Sequence, residues 1–552
     1  MNNIPSSFCT ICTSPASFEL VGLLLSLSVF HPSATVYIVA DTQTQLNIRN
    51  LSPTPNLIIK WIIELDKYSS LTRSQMEDNQ SWAEFQMFKS IALDYALQFE
   101  EDCLFLDSDI IITEQINGID KTKELGVSPH YMRKDILDKF GNFNGGMLWT
   151  RNKMVPHDWR EFTKTSRYYD QASIEDLARK YDHFSFGKNY NIQGYRLALH
   201  EHGPQSFVHS LSVNKAKSEV FYDNQVIKCI HTHFRNQSEF GAFNHVMLSL
   251  FAQANMYKIL CIIHRVIHDK WVIKIPKQPQ MGMGQHTNDS FREIPSLWEI
   301  ANKDIQVIHD PNTIHCWLGD RILLYDRDTP GWINSEVNTS CLLLMGNGDM
   351  KTEGVYIQSK FPNVIVKPWI YWARHPAILE KIVKEHGILS YEGRTNTSIF
   401  IGNFENNVQK QFRDLPGKVW ENVITEFYVQ AGSIHKFSQE EYLHKLRQSK
   451  YGLCLRGYGT KCHREIELMA FGTVPVITSH VCTDSFTEPL MENVHYIMAT
   501  PENFLEKIDS ISMEKWEFLS RNCLEWYLRN VDSSQSWNTM ISRILYNPNI
   551  KN

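Results

Sequence analysis

Two carboxylates two residues apart close a strongly apolar run in this 552-residue chain: Leu104-Phe105-Leu106-Asp107-Ser108-Asp109-Ile110-Ile111-Ile112. Strand alternation predicts both on one side of the chain. Two hard oxygen ligands in a crevice suit Mg²⁺ or Mn²⁺ bridging a diphosphate. A metal there would stabilise negative charge growing on a nucleotide diphosphate leaving group. Acidic residues also end strands with no further role, so the weight comes from the surroundings. Asn144-Gly145-Gly146 lies in FNGGMLW, where paired glycines let backbone approach a ligand and Asn offers a donor and an acceptor. Asp170-Gln171 opens DQASIEDLARKY, with a helix N-cap as the plainer alternative. Asn189-Tyr190-Asn191 forms a polar turn. His231 and His233 end the apolar run VIKCIHTH, and either imidazole could complete a metal site, although a lone histidine there is more often structural.

A second constellation occupies residues 450–478, KYGLCLRGYGTKCHREIELMAFGTVPVIT, read as strand, glycine loop, helix, glycine stop and strand. Gly457 and Gly459 allow a tight turn before the helix. Its N-terminus offers unpaired N–H groups and a positive dipole end to an anion. Arg456, Lys461 and Arg464 add positive charge, and arginine suits bidentate phosphate contacts. Glu467, three residues after Arg464 on the same helix face, could accept from ribose hydroxyls. Gly472 stops the helix. The plainer alternative is a βαβ unit whose Arg and Glu form a surface ion pair.

The elements that must position these groups alternate. FCTICT reads as a strand, SFELVGLLLSLSVFHP as a helix, TVYIVAD as a strand ending in Asp41, Trp82–Phe99 as a helix and CLFLDSDIII as a strand. Such a pattern predicts an α/β fold with a mostly parallel sheet covered on both faces, binding ligands at the strands' carboxyl ends. Residues 274–296 dissolve into Pro, Gly, Gln and Asn, which predicts a linker or long loop. The domain boundary is expected slightly earlier, near 250–258. Alternation then resumes as strands in YKILCIIH, DIQVIHD, SCLLLMGN, NVIVKPW, SIFIGN, YGLCLRG and TVPVIT.

Composition sets the class. Hydrophobic residues make up 43% and charged residues 21%, which excludes a disordered or fibrous chain. A net charge of −6 argues against a protein that grips nucleic acid, leaving room for a local basic pocket. The 14 Trp exceed what a plain core needs and fit grooves that stack sugars or bases. MNNIPSSFCTICTSP carries no signal-peptide pattern, and the most apolar early stretch, Val21–Phe30, is too short to cross a bilayer. The expectation is a soluble cytoplasmic protein without a transmembrane segment, of bacterial or viral type. The 11 scattered Cys fit reduced thiols, and the CxxC of Cys9 and Cys12 reads as part of a buried strand.

Taken in order, the residues Thr10 to Thr13 in the first strand, Lys89 before the acidic pair, FLDSD, FNGG, DQ and the terminal His resemble the GT-A fold of nucleotide-sugar glycosyltransferases, glycogenin-like transferases above all. That resemblance covers about residues 5–240. It implies that Asp107 meets ribose or metal, that Asp109 binds the metal, and that His231 or His233 is the third protein ligand. Lys89 would touch the diphosphate or sugar. Asn144, Gly145, Gly146, Asp170 and Gln171 would line donor sugar and acceptor. Thr10, Ile11 and Cys12 would lie along the donor, and Asp41 could contact the base, an ordinary strand-end Asp being as good a reading. HTHF departs from the His-Gly-Lys-Pro-Trp pattern of some relatives, and no carboxylate is marked as base or nucleophile, so inversion and retention both stay open.

Residues 450–478 resemble the C-terminal part of exostosin-like glycosyltransferases, whose GT-B-like arrangement of two Rossmann-like lobes holds a nucleotide sugar, usually without a DxD metal. The resemblance implies a GT-A domain over 1–252 and a GT-B-like domain over 253–552, with lobes at about 257–390 and 391–545. Gly402 and Asn403, with Arg413, could approach the donor phosphates. Lys367 to His375 could form an acceptor groove or a packed aromatic cluster. His309, Asp310 and His315 are candidate bases. The combined expectation is a bifunctional glycosyltransferase using UDP- or GDP-sugar donors and a glycan acceptor, with Mn²⁺ or Mg²⁺ at the first site and no cofactor at the second. A single GT-A enzyme with a non-catalytic C-terminal carbohydrate- or nucleotide-binding module is the main rival. A nucleotidyltransferase ranks low, because TSPASFE after the first strand lacks the basic loop a triphosphate needs.

Overall fold

The computed structural model describes residues 3–276, 285–313, 315–325, 341–346, 348–370, 373–403, 419–430, 436–457 and 459–546. The chain is of the α/β class, and it divides into two compact units, Met1–Lys270 with Ser542–Asn552, and Trp271–Ile541. Among the described residues, no helix is long and apolar enough to cross a membrane.

The first unit is built on strands β1 (Ser7–Cys12), β2 (Thr35–Ala40), β3 (Ile58–Ile63), β4 (Cys103–Leu106), β5 (Ile110–Ile112), β6 (Leu125–Pro129), β7 (Phe143–Thr150), β8 (His183–Ser185) and β9 (Ile192–Gln193). A hairpin sheet of β10 (Leu211–Asn214), β11 (Glu219–Tyr222) and β12 (Gln225–Val226) follows, and then β13 (Cys229–His231). The main sheet has seven strands in the order β3-β2-β1-β4-β7-β6-β8. β1 to β4 run parallel, and β7 inserts antiparallel between β4 and β6. β1 and β4 are buried along their whole length, which is why they read as continuous apolar runs rather than alternating ones. One face is covered by the helix Phe88–Leu97, whose Ala92, Leu93, Ala96 and Leu97 pack with Phe105, Leu148 and Trp159.

Two sequence expectations are corrected here. LFLDSDIII is not one strand. β4 ends at Leu106 and belongs to the main sheet, whereas β5 pairs with β13 in a separate three-stranded sheet. YKILCIIH is not a strand either: Tyr257–His268 is a helix, buried along Ile259, Leu260, Ile262, Ile263 and Val266. A short apolar run has no period that separates a buried strand from a buried helix. Gly22 on the helix Ser17–Phe30 lets the two helices meet, because a Cβ there would lie 2.7 Å from Val266 Cγ2.

The second unit holds two sheets. β14 (Trp271–Pro276), β15 (Ile305–Asp310), β16 (Cys316–Leu318), β17 (Ile322–Tyr325), β18 (Cys341–Met345) and β19 (Val364–Pro368) form one, in the order β15-β14-β16-β17-β18-β19. β20 (Asn396–Asn403), β21 (Glu426–Gln430), β22 (Ser449–Cys454), β23 (Val474–Ile477) and β24 (Ile497–Met498) form the other, all parallel, in the order β21-β20-β22-β23-β24. The linker expected over 274–296 is also corrected: 274–276 finish β14, and 285–296 lie in the helix Gln285–Ala301, while 277–284 fall outside the described residues. Tertiary burial overrides the weak local signal, since Trp298 is fully buried and its indole N–H donates to Ser536 Oγ at 2.8 Å.

A pH-dependent stability follows from His31. Its Nε2 accepts the Ile116 backbone N–H at 2.9 Å, its ring packs edge-on against Phe8, and it is 6% exposed. Burial, helped by Lys228, depresses it from 6.5 to about 4. The folded value lies below the unfolded one, so the stabilisation is complete above pH 6.5 and is lost as pH falls toward 4. The shift corresponds to at most about 3 kcal/mol. Chemical denaturation between pH 7 and 4 should show a shallower loss for His31→Gln, which keeps an acceptor without a titrating ring, than for the parent. Equal slopes would contradict this.

Candidate active site

The acidic pair sits in the turn between β4 and β5, where Ile110 N–H donates to Asp107 O at 3.2 Å. The two carboxylates therefore converge through a turn rather than through strand pleating. β13, which pairs antiparallel with β5 in the register His231↔Ile110, delivers His231 to the same point. His231 Nε2 lies 3.2 Å from Asp109 Oδ2 and 3.8 Å from Asp107 Oδ2. Ligand atoms of Asp107, Asp109 and His231 all lie within 4.8 Å of one another, so the three could hold one metal ion. Two carboxylate oxygens and one imidazole are a donor set that Mn²⁺ or Mg²⁺ accepts. His233 stands beside them, with Nε2 at 3.5 Å from Asp109 Oδ2 and Nδ1 at 2.6 Å from Glu19 Oε1.

A second layer surrounds this cluster. Lys89, 5% exposed, places its ammonium 3.0 Å from Asp107 Oδ1, 3.1 Å from Asp170 Oδ2 and 3.3 Å from Gly145 O. Burial opposes its charge, but Asp107 and Asp170 outweigh that and hold the ammonium above its ordinary range. Burial likewise pushes the Asp107 carboxyl up, against the pull of Lys89 and His231. At Asp109 burial is overcome by His231 and then His233, and its carboxyl stays below the usual carboxylate range. Against burial, Glu19 and then Asp109 raise His233 to about 9.

β7 lies beside β4, and its glycines are needed for room. A Cβ on Gly146 would lie 2.4 Å from His231 Cε1 and 2.6 Å from Asp107 Oδ2; one on Gly145 would lie 2.3 Å from Asp170 Oδ2. Ligand approach is the role expected of these glycines from the sequence, whereas in the structure they admit the cluster's own side chains. Asn144 donates to Gln171 Oε1 at 3.3 Å, and Gln171 donates to Phe140 O at 3.1 Å. Tyr169, at φ +40°, turns the chain directly before Asp170. So Lys89, Asp107, Asp109, Asn144, Gly145, Gly146, Asp170, Gln171, His231 and His233 are brought together.

The β1 residues lie deeper. Thr10, Ile11 and Cys12 are buried, and burial, followed by Glu19 and Asp41, drives the Cys12 thiol well above its ordinary value. Asp41 is fully buried, and its two oxygens accept Thr44 N–H at 2.6 Å and Ser14 N–H at 2.7 Å, so it caps the helix Thr42–Arg49 and ties down the loop after β1. Sequence reasoning passed over Glu19, Arg196 and the part played by Asn191, because their neighbours come from remote strands.

No protein-family model matches the chain, and no curated protein matches it. Among solved structures it is similar to the galactosyltransferase LgtC solved with donor and acceptor sugar analogs, at 14% identity over 44% of this chain and 96% of that one, with a TM-score of 0.30. It is similar to the glycosyltransferase GlyE of Streptococcus pneumoniae TIGR4 at 11% identity over 92% and 99%, with a TM-score of 0.29. It is similar to the bifunctional glycosyltransferase WbbM at 10% identity over 46% and 50%, with a TM-score of 0.29.

In the second unit the basic candidates have protein partners. Lys461 is buried, and its ammonium donates to Ser485 O at 2.8 Å, Trp369 O at 3.2 Å and Met345 O at 3.5 Å. Glu467 accepts the Tyr442 hydroxyl at 2.7 Å and Arg374 N–H at 3.2 Å. Arg464 donates to Ile401 O, and its guanidinium lies 4.6 Å over the Phe400 ring. Gly402 makes room for it, because a Cβ there would lie 2.8 Å from Arg464 Nη2. Arg456 is half-buried after β22, next to buried Gly457, and Asn403 ends β20. Arg413, Tyr371 and Trp372 lie outside the described residues. His309 and Asp310 end β15, and His315 is buried.

Proposed function

We propose that the chain is a glycosyltransferase whose first domain, about residues 1–252, is of GT-A type and moves a sugar from a UDP- or GDP-sugar to a glycan hydroxyl. The observation that carries this reading is the convergence of Asp107, Asp109 and His231 in one cluster at the β4–β5 turn, backed by Lys89 and given room by the glycines of β7. When bound, a divalent cation supplies stabilisation of the charge that develops on the diphosphate leaving group. Asp107, Asp109 and His231 would hold it, with His233 beside them. Lys89 fixes the carboxylates of Asp107 and Asp170 in place. Asn144, Asp170 and Gln171 are the polar groups that would orient the donor sugar and the acceptor hydroxyl. The 11 cysteines, odd in number and scattered along the chain, support a reducing, cytoplasmic setting.

The second domain, about 253–552 with lobes at 257–390 and 391–545, is the exostosin-like GT-B half of this proposal, with Arg456, Gly457, Arg464 and Asn403 toward a nucleotide sugar. One observation favours a non-catalytic binding module there instead: Lys461 and Glu467 already have protein partners. A panel of UDP- and GDP-sugars with and without Mn²⁺, read as nucleotide diphosphate release, tests both. Metal-dependent release from at least one donor is the expected result. Release insensitive to chelation, or none from any donor, would refute the first assignment. With the first site disabled, residual transfer that Arg464→Ala removes would establish the second site as catalytic.

A further inference from the structure

Asn191 stands beyond the ligands, in the polar turn before β9. It is fully buried, with φ +44°, a left-handed backbone that Asn tolerates better than most residues. Three side-chain contacts fix how its amide lies. The Gly146 backbone N–H donates to Asn144 Oδ1 at 2.9 Å, so that atom is an acceptor. The Asn191 group facing Asn144 Oδ1 at 3.0 Å is therefore the NH₂, which also donates to Ser128 Oγ at 2.9 Å. Its Oδ1 is left facing His231 Nδ1 at 2.9 Å. An amide oxygen only accepts, so Nδ1 of His231 carries the proton and Nε2 is the nitrogen presented to Asp109 and Asp107.

The turn that carries Asn191 is itself clamped. Arg196 is fully buried and makes no carboxylate contact among the described residues; it donates to five backbone carbonyls instead. Nε donates to His130 O at 3.1 Å, Nη1 to Lys188 O at 2.6 Å, and Nη2 to Asn191 O at 3.2 Å. Burying a guanidinium among neutral partners is costly, and here the cost is offset by fastening residues 188–191 to the end of β6.

We infer that Asn191 is the positioning residue of the metal centre, selecting the His231 tautomer and ring orientation that aim Nε2 at the cation, with Arg196 holding the turn that places it. This rests on the proposed metal site. An outer partner of this kind is worth roughly 10–100-fold in metal affinity.

Mn²⁺ titration calorimetry on the full-length protein, with melting temperature measured alongside, tests it. Asn191→Gly keeps the positive φ and removes the side chain, and should weaken Mn²⁺ binding about 10–100-fold. Asn191→Asp keeps the acceptor toward Nδ1 but turns its second oxygen toward Asn144 Oδ1, and should lose clearly less Mn²⁺ affinity than Asn191→Gly. If both variants lose affinity equally, the role is merely structural and the inference fails; it also fails if Asn191→Gly binds as the parent does. A parent that binds no Mn²⁺ overturns the metal site and this inference together. Tight Mn²⁺ binding that follows the expected order, with no donor turnover, overturns only the glycosyltransferase reading.

Discussion

Asp109→Ala should lower metal-dependent donor turnover about a thousandfold or more, which corresponds to roughly 4 kcal/mol of transition-state stabilisation. Asp109 is the least exposed of the two acidic ligands, its side chain being 9% exposed against 23% for Asp107. Its carboxyl is also held below the usual range by His231 and His233, so it is the hard anionic ligand most fully committed to the charged form. Asp107 shares its charge with Lys89 at 3.0 Å, whereas among the described residues the ion-pair partners of Asp109 are imidazoles, those of His231 and His233. Removing it leaves one carboxylate, Asp107, and one imidazole, His231, a poor set for a hard cation. Asp109→Asn, of equal size, should behave almost as badly, which separates charge from shape. Nucleotide diphosphate release against Mn²⁺ concentration is the measurement. Normal turnover with normal metal dependence in Asp109→Ala would show that the cluster is not the catalytic centre.

The acidic pair, the glycines and the two histidines were legible in the sequence because each belongs to a short motif with its own chemical signature. How they meet was not. The carboxylates converge through the turn that separates β4 from β5, and the imidazole arrives on β13, about 120 residues later, by antiparallel pairing with β5. Register across such a distance leaves no trace in local periodicity. Asn191 and Arg196 were illegible for the same reason: an asparagine in a polar turn and an arginine opening a short helix look like surface residues until remote carbonyls close around them. YKILCIIH failed differently, since an apolar octet has the composition of a strand and only its packing on Ser17–Phe30 makes it a helix. In the second unit the charged residues around the helix His463–Ala470 stand out in the sequence as a group, but composition cannot show that Lys461 and Glu467 turn inward to protein partners.

Arg394→Met should destabilise the second unit by about 4 kcal/mol, enough to lower its melting temperature by roughly 10 °C. Arg394 is 4% exposed, and its guanidinium donates to Phe471 O at 2.6 Å, Ser449 O at 2.6 Å, Thr473 Oγ1 at 2.7 Å, Arg447 O at 3.0 Å and Leu389 O at 3.2 Å. Those acceptors come from the loop after the helix Pro376–His386, the end of the helix Gln439–Arg447, the start of β22 and the turn that leads into β23, so one side chain joins four segments of the second unit. The face of the guanidinium lies 4.8 Å from the Trp516 ring, which closes the site from the helix Met513–Asn530. Burial, and after it Arg447, lowers Arg394 to about 9, the mark of a cation held by neutral dipoles rather than by a carboxylate. Methionine fills part of the volume but donates nothing, so several buried carbonyls lose their partner at once, and each such loss costs on the order of 1–3 kcal/mol before relaxation. Arg394→Lys should fall in between, because one ammonium cannot span acceptors arranged for a planar fork. Hydrogen exchange resolved by peptide is the decisive measurement. Amides of β22, β23 and the helix His463–Ala470 should lose protection in Arg394→Met, while β1, β4 and β13 keep theirs and Mn²⁺ affinity is unchanged. Equal loss of protection in both units, or none in either, would show that Arg394 is not the fastening point of the second sheet.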